Sequence, residues 1–458
     1  MNSKKILVVG LDCAPGAIVF DRRDQFPVLR ELMDNGVYGN LRSSDPPITI
    51  PAWMVMGTGK DAGRLGLYGF RHRKGYSYKE MWIATSQSIK ERAVWDIIGD
   101  FGGQSCLISV PPSYPPHPVP GHLISCFITP DNEKEYTYPQ SLRQEIEEKF
   151  GPYIFDIEFR TDKKEELIEG IYRMTKKRFE VMNDLARRKP WNLFMFVEIG
   201  VDRVQHGFWK YMDPEHHLYV KGNPYEDVIL DYYKFLDKKI GELIDTCGKD
   251  TIVLVVSDHG AKRMKGAFCV NEWLIEEGDL VVKTRPAKPA SVEKVDVDWP
   301  RTKVWGWGGY YARLFLNVEG REDQGIIKPE DYEKERDLLA EKILDLRGPQ
   351  GEKWQTRVIK PQEYFKDARG DYPDLMIYFD DLYWRSAGTL GHPGKFLSEN
   401  DTGPDDAVHA QEGIYILYDP SQKVKLRKDA SIIDVAPTIL HLLDIPAPKD
   451  MEGAIFAT

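Results

Sequence analysis

The chain has 458 residues, of which 42% are hydrophobic and 29% are charged, a composition typical of a globular protein. Its net charge of −10 at pH 7 argues against binding to a nucleic-acid duplex, because duplex binders carry a stripe of basic residues and this sequence shows none. For a phosphate substrate, metal ions or a few Lys and Arg side chains would have to supply local positive charge.

The five cysteines form no C-x-x-C pair, which argues against a disulfide framework and favours a reducing cytoplasm. The apolar run after the N-terminal Met-Asn-Ser-Lys-Lys is too short for a signal peptide and ends at Asp12. No apolar run approaches the ~20 residues that span a bilayer. We therefore predict a cytoplasmic protein with no membrane partner. The sequence does not indicate an oligomeric state.

Predicted strands and helices alternate along the first 265 residues. Short apolar runs predict buried strands at residues 5–12, 104–110, 192–197 and 251–257. Helical periodicity predicts helices at residues 26–35, 93–100, 142–150, 164–188 and 225–246. The proline-rich stretch 111–120 predicts an extended loop. This alternation favours a mostly parallel sheet covered by helices on both faces.

The alternation breaks up between about residue 261 and residue 372. This stretch holds an aromatic, glycine-rich segment at 305–317 and a charged helix at 329–346. Strands at 374–379 and 413–418 and a helix at 432–443 follow it. We predict a catalytic domain of residues 1–265 and 373–458, with residues 266–372 inserted as a cap subdomain.

Three aspartates and three histidines lie close to the ends of predicted strands. They are Asp12, Asp202, His206, Asp258, His259 and His409. In an open parallel sheet the active site lies outside the carboxyl ends of the strands, so these side chains are expected to meet there. Buried carboxylates repel one another unless cations compensate them. Three carboxylates and three imidazoles can hold two ions, and this oxygen and nitrogen set suits Zn²⁺ or Mn²⁺.

Each of these residues also has a simpler explanation. Asp12 could cap the following helix, and Asp202 and His206, four residues apart, could form a surface hydrogen bond on one helix face. Asp258 and His259 could end a strand at a turn, and His409 alone says little. Their common position near strand ends is what favours a metal site.

Thr49 lies in the sequence Pro-Pro-Ile-Thr-Ile-Pro-Ala-Trp, in which prolines hold the chain extended. The apolar stretch that follows predicts a helix, so Thr49 is expected at a helix N-terminus, where an anion is favoured. The alternative is that Thr49 caps this helix. A threonine needs a base or a metal ion before it can act as a nucleophile.

With these motifs the sequence resembles the alkaline phosphatase superfamily, and it is most similar to the type I phosphodiesterase/nucleotide pyrophosphatase branch. The motifs occur in the family's order over nearly the whole chain: GLD at 10–12, TIPAW at 49–53, VDRVQH at 201–206, SDHG at 257–260, H-x-x-x-G at 409–413 and DVAPTILHLL at 434–443. The resemblance implies an α/β fold with an alkaline-phosphatase-like, doubly wound, mostly parallel sheet.

The resemblance also implies two metal sites. Asp12, Asp258 and His259, with Thr49, would hold one divalent ion, and Asp202, His206 and His409 would hold the other. Zinc is the expected metal, with manganese as the alternative. One ion would activate Thr49 as the nucleophile, and the other would activate the water that hydrolyses a phospho-threonine intermediate. The implied activity is hydrolysis of small phosphoric esters, nucleotide-like diesters among them.

The sequence departs from the family pattern at a residue that contacts the substrate. Relatives that cleave nucleotides often carry an asparagine after the nucleophile that contacts a phosphate oxygen, and no equivalent is evident here. Lys60, Arg71 or His392 could replace it, although the residue type alone favours a solvated or structural role for each of them. Trp307 could stack on a planar leaving group or could fill the core of the subdomain.

Three other classes of protein share part of this sequence pattern. A sulfatase is excluded because Cys13-Ala-Pro-Gly-Ala lacks the final arginine of the C/S-x-P-x-R motif. A phosphomutase or phosphotransferase of the same superfamily shares the metal set and is the main alternative. A non-catalytic nucleotide-binding module is disfavoured, since the first strand is not followed by G-x-G-x-x-G and Asp12 would face a pyrophosphate.

Overall fold

The computed structural model describes residues 4–422 and 424–456. Residues 1–3, which belong to the N-terminal stretch interpreted above, lie outside the described part. The strands are β1 Ile6–Leu11, β2 Val37–Arg42, β3 Arg71–Arg73, β4 Met81–Ile83, β5 Ser105–Ile108, β6 Gly121–Ile124, β7 Thr137–Tyr138, β8 Leu193–Glu198, β9 Ile252–Val256, β10 Gly260–Arg263, β11 Gly266–Cys269, β12 Ala290–Ser291, β13 Val304–Trp307, β14 Ala312–Leu316, β15 Arg357–Ile359, β16 Leu375–Tyr378, β17 Trp384–Ala387, β18 Thr389–Leu390, β19 Phe396–Leu397, β20 Ala407–Ala410, β21 Glu412–Tyr418, β22 Leu426–Arg427 and β23 Ala430–Ser431.

The α-helices are α1 Gly16–Val19, α2 Pro27–Asp34, α3 Thr49–Thr58, α4 Ala62–Leu65, α5 Val94–Asp100, α6 Ser141–Phe150, α7 Lys164–Arg188, α8 Gly200–Met212, α9 Val228–Cys247, α10 Val270–Glu276, α11 Tyr332–Leu344, α12 Pro361–Tyr364 and α13 Val435–Leu442. Short 3₁₀ helices occur at Arg23–Gln25, Ser86–Ser88, Val292–Lys294, Trp299–Arg301, Pro329–Asp331 and Ile432–Asp434.

A ten-stranded sheet forms the centre of the molecule, with the strand order β22-β2-β21-β9-β1-β8-β5-β6-β7 and β23 paired to β2. Strands β9, β1, β8, β5 and β6 run parallel, whereas β21 and β7 are antiparallel to their inner neighbours. Every residue of β1, β8 and β9 is buried, which explains their continuous apolar sequences.

Helices cover both faces of this sheet. On one face, β1 and β8 pack against apolar residues of α2, α7, α8 and α9. On the other face the same strands pack against α3, α5 and α13. The predicted α/β fold, with a mostly parallel sheet between two helical layers, is confirmed.

A second, four-stranded antiparallel sheet has the order β13-β14-β16-β15. Strand β16 lies beyond residue 372, the predicted end of the insert, yet it pairs with β14 and β15 of this smaller sheet. The smaller sheet therefore extends past that boundary, because an isolated apolar run does not reveal which sheet it joins. The division of the chain into domains stays a prediction.

The carboxyl ends of β1, β8 and β9 lie side by side, since the three strands are adjacent and parallel. Asp12 directly follows β1, α8 begins two residues after β8, and Asp258 follows β9 at one residue's distance. Within the described residues, no helix is both long and apolar enough to cross a membrane.

Candidate active site

The six predicted metal ligands lie together in two buried groups. The carboxylate and imidazole atoms of Asp12, Asp258 and His259 lie within 4.8 Å of one another. Asp202, His206 and His409 form a second group with the same spacing, and the Cys13 thiol belongs to this group as well. The grouping is the one that the family resemblance implies, and the role of each side chain as a ligand remains a proposal.

The first group is held by β1, β9 and α3. The Trp53 indole Nε1 donates a hydrogen bond to Asp12 Oδ2 at 2.8 Å, which orients that carboxylate. Asp258 Oδ1 accepts a hydrogen bond from the backbone N–H of Cys13 at 3.1 Å. His259 Nδ1 faces the carbonyl of Gly260 at 3.2 Å, so its Nε2 is directed toward the two aspartates.

Thr49 lies beside this first group as the first residue of α3. Its Oγ1 is 3.4 Å from His259 Nε2. Ile48 occupies the N-cap position, and no side chain caps the helix there. Thr49 is therefore not the helix cap, which was the alternative interpretation of this residue. Its hydroxyl faces the acidic group at the N-terminus of a ten-residue helix.

The second group is held by α8 and β20. Asp202 and His206 are one helical turn apart on α8, and Asp202 Oδ1 lies 3.1 Å from His206 Nε2. His409 comes from β20, where its Nδ1 lies 2.8 Å from the carbonyl of Pro47. The rings of His409 and His259 are stacked at 3.8 Å, which brings the two groups into contact.

Burial shifts the pKa values of four of these groups toward their neutral forms. Burial raises the pKa of Asp12 well above its usual value, and the charge of Asp202 raises it further. Burial and the charge of Asp12 raise the pKa of Asp258 in the same way. Burial lowers the pKa of His259 to about 4 and also lowers that of His409 well below its usual range. A divalent cation would reverse the penalty on the carboxylates and would bind the imidazoles in their neutral form.

Three buried atoms of the two groups make no hydrogen bond among the described residues. They are Asp12 Oδ1, Asp258 Oδ2 and His206 Nε2. An unsatisfied buried polar atom costs about 1–3 kcal/mol, and more when it is charged. Aspartate oxygen and histidine nitrogen are ligand atoms for zinc and manganese, so the donor set fits two divalent ions.

A cavity of about 560 Å³ adjoins the site. Thr49, together with Asp202 and His409 of the second group, lines it. Two predicted substrate contacts, Arg71 and Trp307, also line it. Trp307 is 6% exposed, and its ring packs against Phe315, so it also serves as part of the core of the smaller sheet.

The other two predicted substrate contacts do not line this cavity. The Lys60 ammonium is buried in an ion cluster with Glu91 and Asp450. His392 Nε2 is paired with the Thr389 hydroxyl at 2.7 Å. Both side chains already have partners, which makes structural roles the better explanation for them.

Several residues of the site were missed in the sequence. Asp405 is buried, and its Oδ1 lies 2.7 Å from His206 Nδ1. Its other oxygen accepts hydrogen bonds from Tyr310, Arg160 and Arg385, all of which line the cavity. The acidic pair at 405–406, just before His409, was the available signal.

Cys13 was considered in the sequence only as part of a sulfatase motif. In the structure it has a left-handed backbone with φ of 70°, and its thiol lies 3.5 Å from the carbonyl of Gly260. This backbone turn brings the thiol into the second group beside Asp202, His206 and His409.

Comparison with known proteins gives one likeness over a short stretch and one over nearly the whole chain. A stretch of 57 residues is 39% identical to the 2,3-bisphosphoglycerate-independent phosphoglycerate mutase of Psychrobacter arcticus and 40% identical to that of Cellvibrio japonicus. The stretch is 12% of this chain and only 10% and 11% of the two mutases. Human ectonucleotide pyrophosphatase/phosphodiesterase 5 superposes with a TM-score of 0.58 at 13% identity, over 98% of this chain and 97% of that one. This likeness confirms the alkaline-phosphatase-like fold.

The model of one family, described as type I phosphodiesterase/nucleotide pyrophosphatase, matches residues 6–405. This range includes Thr49 and five of the six predicted metal ligands. The resemblance seen in the motifs is thereby confirmed, and the chain belongs to the type I phosphodiesterase/nucleotide pyrophosphatase family, a family of phosphoric ester hydrolases.

Proposed function

We propose that this protein is a metal-dependent hydrolase of small phosphoric esters, with diesters as its preferred substrates and Thr49 as its nucleophile. The observation that carries the proposal is the position of Thr49. Thr49 is the first residue of a helix, its Oγ1 lies 3.4 Å from His259 Nε2, and the residue lines the cavity. Family membership supports the same class of reaction.

Two divalent ions complete the site in this proposal. Asp12, Asp258 and His259 hold one ion together with Thr49, and Asp202, His206 and His409 hold the other. Zinc fits the mixture of histidine and carboxylate ligands, and manganese is the alternative. When bound, the ions supply Lewis-acid chemistry, which lowers the pKa of a hydroxyl or a water and neutralises phosphate charge.

The chain's own residues perform the remaining tasks. Thr49 Oγ1 forms a bond to phosphorus while the bond from phosphorus to the leaving alcohol oxygen breaks. Water then cleaves the phospho-threonine, which releases the phosphoryl product and restores the Thr49 hydroxyl. The free N–H groups at the start of α3 donate to the phosphoryl oxygens during both steps. Trp53 and Asp405 hold Asp12 and His206 in place throughout.

A phosphomutase or phosphotransferase activity is the second candidate. It is favoured by the 57-residue stretch that resembles phosphoglycerate mutases. In that case the phosphoryl group on Thr49 would pass to a hydroxyl of an organic acceptor instead of water. Thr402, which lines the cavity, is exposed to solvent, and access of water to the cavity supports hydrolysis.

The experiment compares kcat/KM for a chromogenic phosphodiester, the matching monoester and 3-phosphoglycerate, with Zn²⁺ or Mn²⁺ added and with a chelator as the blank. A diester preference that the chelator abolishes supports the proposal. A monoester preference keeps the mechanism but changes the substrate class. Isomerisation of 3-phosphoglycerate without ester hydrolysis favours the mutase.

A further inference from the structure

Two arginines of the catalytic cavity, Arg71 and Arg313, have no carboxylate partner among the described residues. The Arg71 guanidinium is exposed and makes no hydrogen bond in that part of the chain. Arg313 donates from Nη1 to the carbonyl of Arg71, whereas its Nε is buried without a partner. Both side chains line the cavity that contains Thr49.

The other arginines of this cavity are paired with carboxylates. Arg203 binds Asp156 at 2.6 Å and Asp202 at 2.6 Å. Arg160 and Arg385 both contact Asp405, at 3.2 and 3.1 Å. These three arginines surround the proposed second metal site. Arg71 and Arg313 are the two arginines lining this cavity that have no carboxylate partner among the described residues.

The two unpaired charges stand close enough to repel each other. Burial lowers the pKa of Arg313, and the charge of Arg71 lowers it further, against the opposing effects of Tyr311 and Glu293. Glu293 lines the same cavity but forms no ion pair with either arginine within the described residues. The hydrogen bond from Arg313 to the backbone carbonyl of Arg71 places these two residues side by side at the cavity, where an anion in contact with both side chains would stabilise their charges.

The fold holds the two arginines in this arrangement. Arg313 lies in β14, between β13 and β16, and Arg71 is the first residue of β3. The Tyr311 hydroxyl donates to the carbonyl of Tyr68, which ties β14 to the segment just before Arg71. The Arg313 guanidinium also lies 5.2 Å above the Trp307 ring, and this contact restricts its plane. A guanidinium held in this way keeps a fixed position, from which it can donate a charge-assisted hydrogen bond to an oxyanion.

We propose that Arg71 and Arg313 form a second anion subsite, which binds a phosphoryl or carboxylate group of the substrate other than the phosphate that is cleaved. This inference rests on the proposed function and narrows its substrate class. The natural substrate is a phosphate ester with a second anionic group on its organic part. Arg71 then recognises this second group, and does not replace the asparagine that contacts the cleaved phosphate in relatives.

The test uses two series of inhibitors of diester hydrolysis: α,ω-bisphosphonates with linkers of two to six methylenes, and the monophosphonates of equal length. The range of linkers covers different distances between the two anions. In the wild type, at least one bisphosphonate should bind about tenfold more tightly than its monophosphonate, the low end of what charge-assisted hydrogen bonds provide. Phosphonocarboxylates of the same lengths distinguish a phosphoryl from a carboxylate group, and a gain with either supports the subsite.

Two variants locate the gain. Arg71→Gln and Arg313→Gln should each remove most of the difference between the two series, whereas Arg92→Gln, an exposed arginine outside the cavity, should keep it. Because Arg71 is exposed, Arg71→Gln is expected to fold, and this variant alone is sufficient for the test if Arg313→Gln does not fold. No gain in the wild type, or a gain that survives both variants, overturns the subsite. Calorimetric titration of the same compounds gives the answer even if the wild type hydrolyses no diester, a result that would count against the proposed function alone.

Discussion

At the scale of single residues, the site depends on side chains that do not face the substrate. Trp53 holds Asp12, and Asp405 holds His206, each through one hydrogen bond of 2.7–2.8 Å. Such outer partners fix the orientation and the tautomer of a histidine ligand. With Nδ1 engaged by Asp405, His206 directs Nε2 toward Asp202. The side chains of the second group, the proposed ligands of one ion, are therefore held in place by contacts within the protein.

Replacement of Asp405 tests this support. Asp405→Asn removes the negative charge opposite His206 and leaves Arg160 and Arg385 without their shared partner. We expect the affinity for one of two zinc ions to fall by about 10- to 100-fold. Competition with a chromophoric zinc chelator measures this affinity. The exposed Asp250→Asn variant serves as the control, and an unchanged zinc affinity in Asp405→Asn would show that the contact with His206 is incidental.

At the scale of elements, the close contact between β1 and its neighbours positions the first metal group. A Cβ atom on Gly10 would lie 2.5 Å from the carbonyl oxygen of Phe196 and 2.6 Å from the Trp53 ring. Only glycine allows β1, β8 and α3 to approach this closely. The same approach places the Trp53 indole against Asp12. The packing of the sheet and the orientation of Asp12 thus both depend on the glycine at position 10.

Gly10→Ala is expected to lower the free energy of unfolding by about 1–3 kcal/mol, because the added methyl group overpacks the core. Urea denaturation measures the change. Gly170→Ala, in the middle of α7, is the matched control, since its Cβ would meet Ile157 at an ordinary 3.5 Å. The control should be neutral or slightly more stable than the wild type. Equal effects of the two substitutions would contradict the proposed close contact.

At the scale of the whole molecule, buried histidines make stability depend on pH. His72 is 1% exposed, it accepts a hydrogen bond from the Tyr68 N–H at 2.8 Å, and it stacks on Trp82. Burial, followed by the charge of Arg313, lowers the pKa of His72 to about 3. An unfolded histidine has a pKa of about 6.5, so the unfolded chain binds a proton that folded His72 does not. The stability from this group is complete above pH 6.5 and is lost as the pH falls toward 3.

Substitution of His72 should therefore make stability less sensitive to acid. Below about pH 6, His72→Gln should reduce the slope of unfolding free energy against pH by up to about 1.4 kcal/mol per unit. Urea denaturation at several pH values between 6 and 4.5 measures this slope. His441→Gln, at an exposed position of α13, should leave the slope as in the wild type. A wild-type slope in His72→Gln would contradict a neutral, buried His72.

Much of the site could be predicted because its residues stand next to strongly apolar strands. Asp12 and Asp258 each follow a buried run, so the order of strands along the chain brings them to one edge. The apolar stretch after the extended proline segment predicted a helix with Thr49 near its N-terminus, and α3 does begin at Thr49. Strands β1, β5, β8, β9 and β21 of the central sheet have apolar sequences, which explains why their bounds were predicted within a few residues. Strands β2 and β6 of the same sheet were not predicted, and the mixed sequence VYGNLR of β2 shows why.

The rest depends on contacts between distant parts of the chain. Asp405 contacts His206 across 199 residues, and no local pattern distinguishes it from Asp406 beside it. Strand β16 has the sequence of any buried strand, and only its pairing with β14 places it in the smaller sheet. Lys60 was a candidate contact for the substrate, but in the structure its ammonium group forms ion pairs with Glu91 and Asp450.

The central claim, that Thr49 is the nucleophile, is tested most directly by two threonine substitutions in the same helix. Thr49 and Thr58 are the first and last residues of α3, and the Thr58 hydroxyl donates only to the carbonyl of Met54. The measurement is kcat/KM for a chromogenic phosphodiester with zinc present. We predict that Thr49→Ala lowers it by at least about a thousandfold, whereas Thr58→Ala stays within a few-fold of the wild type. A Thr49→Ala variant that keeps the wild-type kcat/KM would contradict the proposed mechanism.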